Sequence, residues 1–165
     1  MIEKISANFD ADKSSQFLYK PEDAAGTQLF AGPPWDYDFS LAPTPDFCGE
    51  EVSAELGDPK GTRITEDNSL YAALFRHEAF RDVVYQQYYQ NFLPLIRRQA
   101  EHGIMDQGEL LLPSVQMNAL RWQIWPEAET PEEISALYFQ QLERIAGFLD
   151  QRSQWLCSQW PQPEQ

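Results

Sequence analysis

Cysteine is scarce in this sequence, and so is positive charge. Cys48 and Cys157 are the two cysteines among 165 residues, too few for a disulfide framework and without the paired spacing of a zinc site. Both are expected to be free thiols. Twelve Lys and Arg stand against 26 Asp and Glu, a formal charge of −14. Such a balance repels phosphate backbones and anionic lipid, which argues against nucleic acid as a partner. No segment supplies the roughly 18 uninterrupted apolar residues of a membrane span, and the opening MIEKISANFDADKSS has no apolar stretch resembling a signal peptide. Histidine is also rare: His77 and His102 have no HExxH-like spacing, and no GxSxG occurs, so hydrolase chemistry has no support. Neither GxGxxG nor GxxxxGK[ST] is present, so no Gly-rich phosphate cradle can be read from these residues.

What the chain does have is apolar and aromatic content, 42% hydrophobic and 13% aromatic, enough for a folded core. The length suits one domain over 1–165. Ile2, Ile5 and Phe9 fall at helical spacing. Gln16 to Lys20 and Gln28 to Ala31, separated by the turn-prone PEDAAGT, predict a β-hairpin. Residues 1–40 thus form a first part. From Gly32 to about Thr65 the density of Pro and Gly predicts a long loop over 41–65, wrapping the core or serving as a lid or substrate platform.

Over 66–160 the period turns helical. Leu70, Leu74 and Phe75 mark a short helix; Phe80, Val84, Tyr88, Phe92, Leu95 and Ile96 mark a longer one; a third is expected near Val115 to Trp125. A fourth opens at Thr130-Pro131-Glu132-Glu133, where Thr130 caps, Pro131 suits the first turn and Glu133 completes a capping box. That helix keeps Ile134, Tyr138, Leu142, Ile145, Leu149 and Leu156 on one face, with Glu132, Glu143, Arg144 and Arg152 placed to face water. Trp122, Trp125, Trp155 and Trp160 are assigned to core or helix-seam packing. The fold class is α+β, an N-terminal hairpin packed on a mainly α-helical domain.

The densest chemical signal is Gly32-Pro33-Pro34-Trp35-Asp36-Tyr37-Asp38. In an extended segment Asp36 and Asp38 would share one face, and Trp35 and Tyr37 the other. Hard cations such as Mg²⁺ take oxygen ligands, often one or two carboxylates together with substrate phosphates, so this layout suits a metal-nucleotide site. A solvated or turn-capping pair is the plainer reading of the same residues.

The wider string, Phe17-Leu18-Tyr19-Lys20, a turn, Leu29-Phe30-Ala31-Gly32-Pro33 and Trp35-Asp36-Tyr37-Asp38-Phe39-Ser40, resembles the CotH (spore coat protein H) kinase family and its "YK, turn, strand, GPxWDxDxS" block. Leu74-Phe75-Arg76-His77-Glu78-Ala79-Phe80-Arg81 is similar to the family's "LF-x-H-x-x-FR" segment, and Asn118-Ala119-Leu120-Arg121-Trp122 to its "N-x-x-RW" segment. The resemblance runs from about Ile5 to Trp155. It implies an atypical kinase C-lobe that uses ATP with Mg²⁺ or Mn²⁺.

Under that resemblance Asp36 would hold metal, with Asp38 as co-ligand, as the residue orienting a metal-bound water, or as a structural group; the two roles could be exchanged. Asp10 matches the catalytic-loop Asp that orients the acceptor hydroxyl, and Asp12 suits a helix or turn cap. Where many relatives carry Asn after that Asp, this chain has Ser14 and Ser15, which puts a second metal in doubt.

Kinase chemistry also needs a lobe with a Gly-rich loop and a Lys paired to a Glu. Lys4, Lys13 and Lys20 lie too close to the catalytic region to replace one, so the chain alone is expected to be an inactive C-terminal portion. The alternative is a non-catalytic interaction or structural domain of the same fold. Expected partners are a protein substrate, the missing N-terminal lobe, or a second copy meeting apolar hairpin side chains at Phe17, Tyr19, Leu29 and Phe30. For location, the resemblance offers only spore coat or cell surface.

Overall fold

The structure is a computed structural model and describes residues 2–8, 17–38, 40–41, 53–55 and 70–164. Helix α1 (Ile2–Ser6) opens the chain, as the Ile2 and Ile5 spacing predicts. Strands β1 (Leu18–Tyr19) and β2 (Phe30–Ala31) pair antiparallel, with Leu18 opposite Ala31 and Tyr19 opposite Phe30. The predicted hairpin is therefore present, shorter than the aromatic runs suggested. Most of the predicted loop over 41–65 lies outside the described residues.

The rest is helical. Helix α2 (Leu70–Phe75) ends at a turn in which Arg76 and His77 donate their N–H groups to the carbonyls of Ala73 and Leu74. Arg81 Nη1 then caps the freed Phe75 carbonyl at 2.7 Å.

Helix α3 (Glu78–Gln87) begins a run that does not stop until Trp122. Helices α4 (Leu93–Arg98) and α5 (Ile104–Trp122) continue it through two π-helical turns, Tyr88–Phe92 and Gln99–Gly103. At each turn the next helix begins with an N–H that reaches back five residues, Leu93 to the Tyr88 carbonyl and Ile104 to the Gln99 carbonyl. The second and third predicted helices are thus one interrupted rod. The run accommodates two prolines: Pro94 lies directly after the first π turn, and Pro113 is absorbed within α5. Left-handed Gln123, φ 49°, ends α5.

Helix α6 (Pro131–Gln159) spans 29 residues, about 43 Å. Its start follows the sequence reading. Glu133 N–H donates to Thr130 Oγ1 at 3.2 Å, while Glu133 Oε2 accepts from the Thr130 N–H at 3.0 Å and the Glu129 N–H at 2.9 Å. Helices α5 and α6 approach closely at Gly108, where a Cβ would collide with Leu142 Cδ1.

The core forms where the rod meets the second half of α6. Tyr88, 0% exposed, and Trp160, 1% exposed, sit at its centre with Phe75, Tyr85, Leu93, Ile96, Leu149 and Leu156, and α1 contributes Ile5. The Trp160 ring meets Tyr88 edge to face at 4.9 Å and stacks on Phe75 at 6.5 Å. No helix among the described residues is long and apolar enough to cross a membrane.

Two expectations change. Arg152 does not face water: it is buried at 2% exposure, between Leu149 and Leu156 on the packing face of α6. Trp122 is not in a seam either, being 66% exposed with the Arg121 guanidinium 5.1 Å over its ring. Trp155 and Trp160 do pack, and Trp125 is half-buried.

Leu156→Ala should cost about 2–5 kcal/mol, read from the urea midpoint at unchanged slope, because it leaves a cavity beneath Tyr88 and Trp160. The hydrogen bonds from the Glu129 and Thr130 backbones, with that to Thr130's side chain, hold the Glu133 carboxyl below its ordinary 4.5. A depressed pKa stabilises the fold above the ordinary value and loses that effect as pH falls through the folded one. Glu133→Gln should therefore differ from wild type most at neutral pH, with thermal melts converging as pH falls below the ordinary carboxylate value.

Candidate functional site

The acidic segment is displayed by the hairpin. Gly26, φ 83°, lies in its turn, where Lys20 Nζ and Asp23 Oδ1 stand 3.8 Å apart. Tyr19 and Phe30, directly opposed in register, stack at 5.5 Å. Gly32, φ 121°, donates its N–H to the Phe17 carbonyl at 2.9 Å and precedes a cis peptide to Pro33. That left-handed position suits glycine. Three residues after Gly32, the Trp35 ring folds back edge-on against Phe17, with centroids 6.3 Å apart. The indole is thereby tied to the hairpin while remaining largely exposed.

Asp36 follows with φ 62°. An extended run would have alternated Asp36 and Asp38 against Trp35 and Tyr37; a left-handed residue breaks that alternation. Aspartate tolerates this backbone better than most residues because its short side chain can bond locally. Asp36 and Asp38 are exposed, Tyr37 is half-buried, and a tight turn closes the segment, with Ser40 donating both its N–H and its Oγ–H to the Tyr37 carbonyl at 3.2 and 2.6 Å. Leu41, φ 56°, then donates its N–H to the Ser6 carbonyl at 2.8 Å, fastening the end of the acidic segment to α1. Ala7, beside that acceptor, has φ 50°. Asp36 is thus the left-handed residue inside the acidic segment, while Ala7 and Leu41 flank the hydrogen bond that joins its exit to α1.

Asp10, Asp12, Ser14 and Ser15 lie outside the described residues, as does Cys48. Among the described residues, no group of three or more His, Cys, Asp and Glu side chains is arranged to hold a metal. A Mg²⁺ held through one or two carboxylates, with substrate phosphates and water completing six positions, needs no such group. Asp36 and Asp38 are two exposed carboxylates, the donor type such a site uses. His77 and His102 are exposed, one preceding α3 and the other in the second π turn. Two open grooves of about 680 and 670 Å³ flank the end of α6, the first beside Tyr89, Arg97 and Cys157, the second beside Arg81 and Gln159. Neither is lined by Asp36 or Asp38.

Sequence reasoning did not find Arg152. Its Nε–H donates to the Lys4 carbonyl and its Nη1–H to the Ala54 carbonyl, each at 2.8 Å, and its guanidinium lies 4.5 Å over the Trp155 ring. Burial pushes it down to about 10, so it stays cationic at neutral pH. Its spacing from Leu149 and Leu156, three and four residues, was the available signal.

A two-stranded hairpin that presents an acidic segment beside a helical body places the molecule among mainly helical α+β domains. The sequence profile described as CotH kinase protein matches residues 1–156, and the chain belongs to that family. No curated protein and no solved structure matches the chain.

Asp36→Asn should keep the stability of the wild type, whereas Asp36→Val should lose about 1–2 kcal/mol by forcing a β-branched side chain into the left-handed region. Paired urea unfolding curves would show both effects.

Proposed function

We propose that this chain is the C-terminal, metal-holding and acceptor-orienting portion of a CotH-type atypical kinase, which passes the γ-phosphoryl group of ATP to hydroxyls on proteins. The observation that carries the reading is the family match over residues 1–156, joined to the exposed Asp36 and Asp38 directly after the hairpin. Bound Mg²⁺ or Mn²⁺ would neutralise charge on the phosphate oxygens. Asp36 is the residue assigned to hold it, and Asp38 is assigned as co-ligand or as the orienter of a metal-bound water. Asp10 is assigned to orient the acceptor hydroxyl and accept its proton as that oxygen attacks the γ-phosphorus.

These 165 residues contain neither a GxGxxG nor a GxxxxGK[ST] loop. Clamping of the phosphates is therefore assigned to residues other than these, and the chain alone is expected to bind nucleotide weakly and turn nothing over.

The exposed face of the hairpin favours a second reading. Phe17, Tyr19, Leu29 and Phe30 are each 40% or more exposed, a cluster suited to meeting another protein surface or a second copy. On that reading the domain is an interaction module and the acidic pair is structural. A strictly monomeric mass in sedimentation at high concentration would count against self-association.

The deciding experiment is calorimetric titration of ATP with Mg²⁺ or Mn²⁺ into the chain, with Asp36→Asn as control because it keeps the backbone conformation. Weak binding, reduced at least about tenfold in Asp36→Asn, supports the kinase reading. Absence of binding in both proteins overturns it in favour of the interaction module.

A further inference from the structure

Among the described residues Arg152 is the charged residue that is buried, and it lies on the face of α6 where the sequence pattern calls for an apolar side chain. An apolar residue of similar volume would pack there without the desolvation cost of a guanidinium. What Arg152 does instead is reach segments 148 and 98 residues away in sequence, holding the Lys4 and Ala54 carbonyls with two 2.8 Å hydrogen bonds. Both are charge-assisted, and the guanidinium plane is steadied from behind by Trp155.

Lys4 lies within α1, whose Ser6 carbonyl receives the Leu41 N–H. Leu41 comes three residues after Asp38. A continuous path of hydrogen bonds and one helical turn thus runs from α6 to the exit of the acidic segment. Leu41 also packs against the core, as Ile5 of α1 does, whereas the acidic residues beyond it do not: Asp36 and Asp38 are exposed, and Phe17, Tyr19, Phe30 and Trp35 pair in exposed aromatic contacts.

We propose that Arg152 is a positioning residue, which fixes α1 on α6 and, through the Ser6–Leu41 hydrogen bond, fixes the acidic segment relative to the helical body. The inference rests on the assignment of metal to Asp36 for its functional meaning, and on the hydrogen bonds alone for its structural meaning. Arg152 touches neither carboxylate; it acts through α1.

The test compares Arg152→Met, which keeps length and loses the donors, with Arg152→Lys, which keeps the charge and can serve one carbonyl. Two quantities are read, the hydrogen-exchange rate of the Leu41 amide and the affinity for Mn²⁺ measured by electron paramagnetic resonance. In Arg152→Met the Leu41 amide should exchange about tenfold faster or more while the core amides of α4 and α6 keep their wild-type rates. Affinity for Mn²⁺ should fall about tenfold, the usual effect of losing a group that orients a metal ligand, and Arg152→Lys should recover part of both.

Wild-type exchange at Leu41 in Arg152→Met overturns the inference. So does a uniform rise through α4 and α6, or failure of both variants to fold, since each would make Arg152 a general stabiliser. If wild type takes up no Mn²⁺ at all, the metal assignment falls, and Leu41 exchange decides the positioning role by itself.

Discussion

Everything in the helical body is organised around one crossing, where the first π turn meets the second half of α6. In a regular α-helix two successive side chains point about 100° apart, so one of them usually turns away from a packed neighbour. Here Tyr88 and Tyr89 both bond the end of α6 or its C-cap: the Tyr88 hydroxyl donates to the Ser153 carbonyl at 3.2 Å, and the Tyr89 hydroxyl donates to the Trp160 carbonyl at 2.7 Å. Burial pushes both phenols up, that of Tyr89 to about 12, so both are neutral donors at neutral pH. The two rings meet edge to face at 5.4 Å. An apolar packing surface thereby gains directional bonds, and these specify how α6 lies on the rod. The position of α6 in turn decides where Arg152 points, and so where α1 sits.

Legibility in the sequence followed the strength of local rules. The start of α6 could be read residue by residue because a capping box satisfies backbone donors within four positions and needs no tertiary context. The hairpin was readable from the aromatic runs and the intervening turn. Continuity from Glu78 to Trp122 was not readable: Pro94, Gly103 and Pro113 are helix breakers by propensity, and the π turns that keep the run together have no sequence signature of their own. Arg152 was missed for a different reason. Arginine is normally assigned to solvent, and the distant carbonyls of Lys4 and Ala54, which help make its burial tolerable, leave no local mark in the sequence.

The acidic segment divides the same way. Its residues and order were legible, and the family they resemble is the one whose profile matches residues 1–156. Its conformation was not, because the period-two alternation of a strand assumes extended backbone throughout, whereas Asp36 adopts φ 62°. A left-handed residue is flanked by Trp35, tethered to Phe17, and by the Ser40–Tyr37 hydrogen bonds, and the segment stays exposed.

The place of Trp160 has a practical consequence for how the domain is delimited. The family match ends at residue 156, but the helix continues to Gln159, and the indole that fills the space between Phe75, Tyr85 and Tyr88 belongs to the residue after it. A boundary drawn where the alignment stops would cut through the interior of the molecule. The physical unit outlasts the recognisable one by a single turn, and that turn carries its largest fully buried side chain.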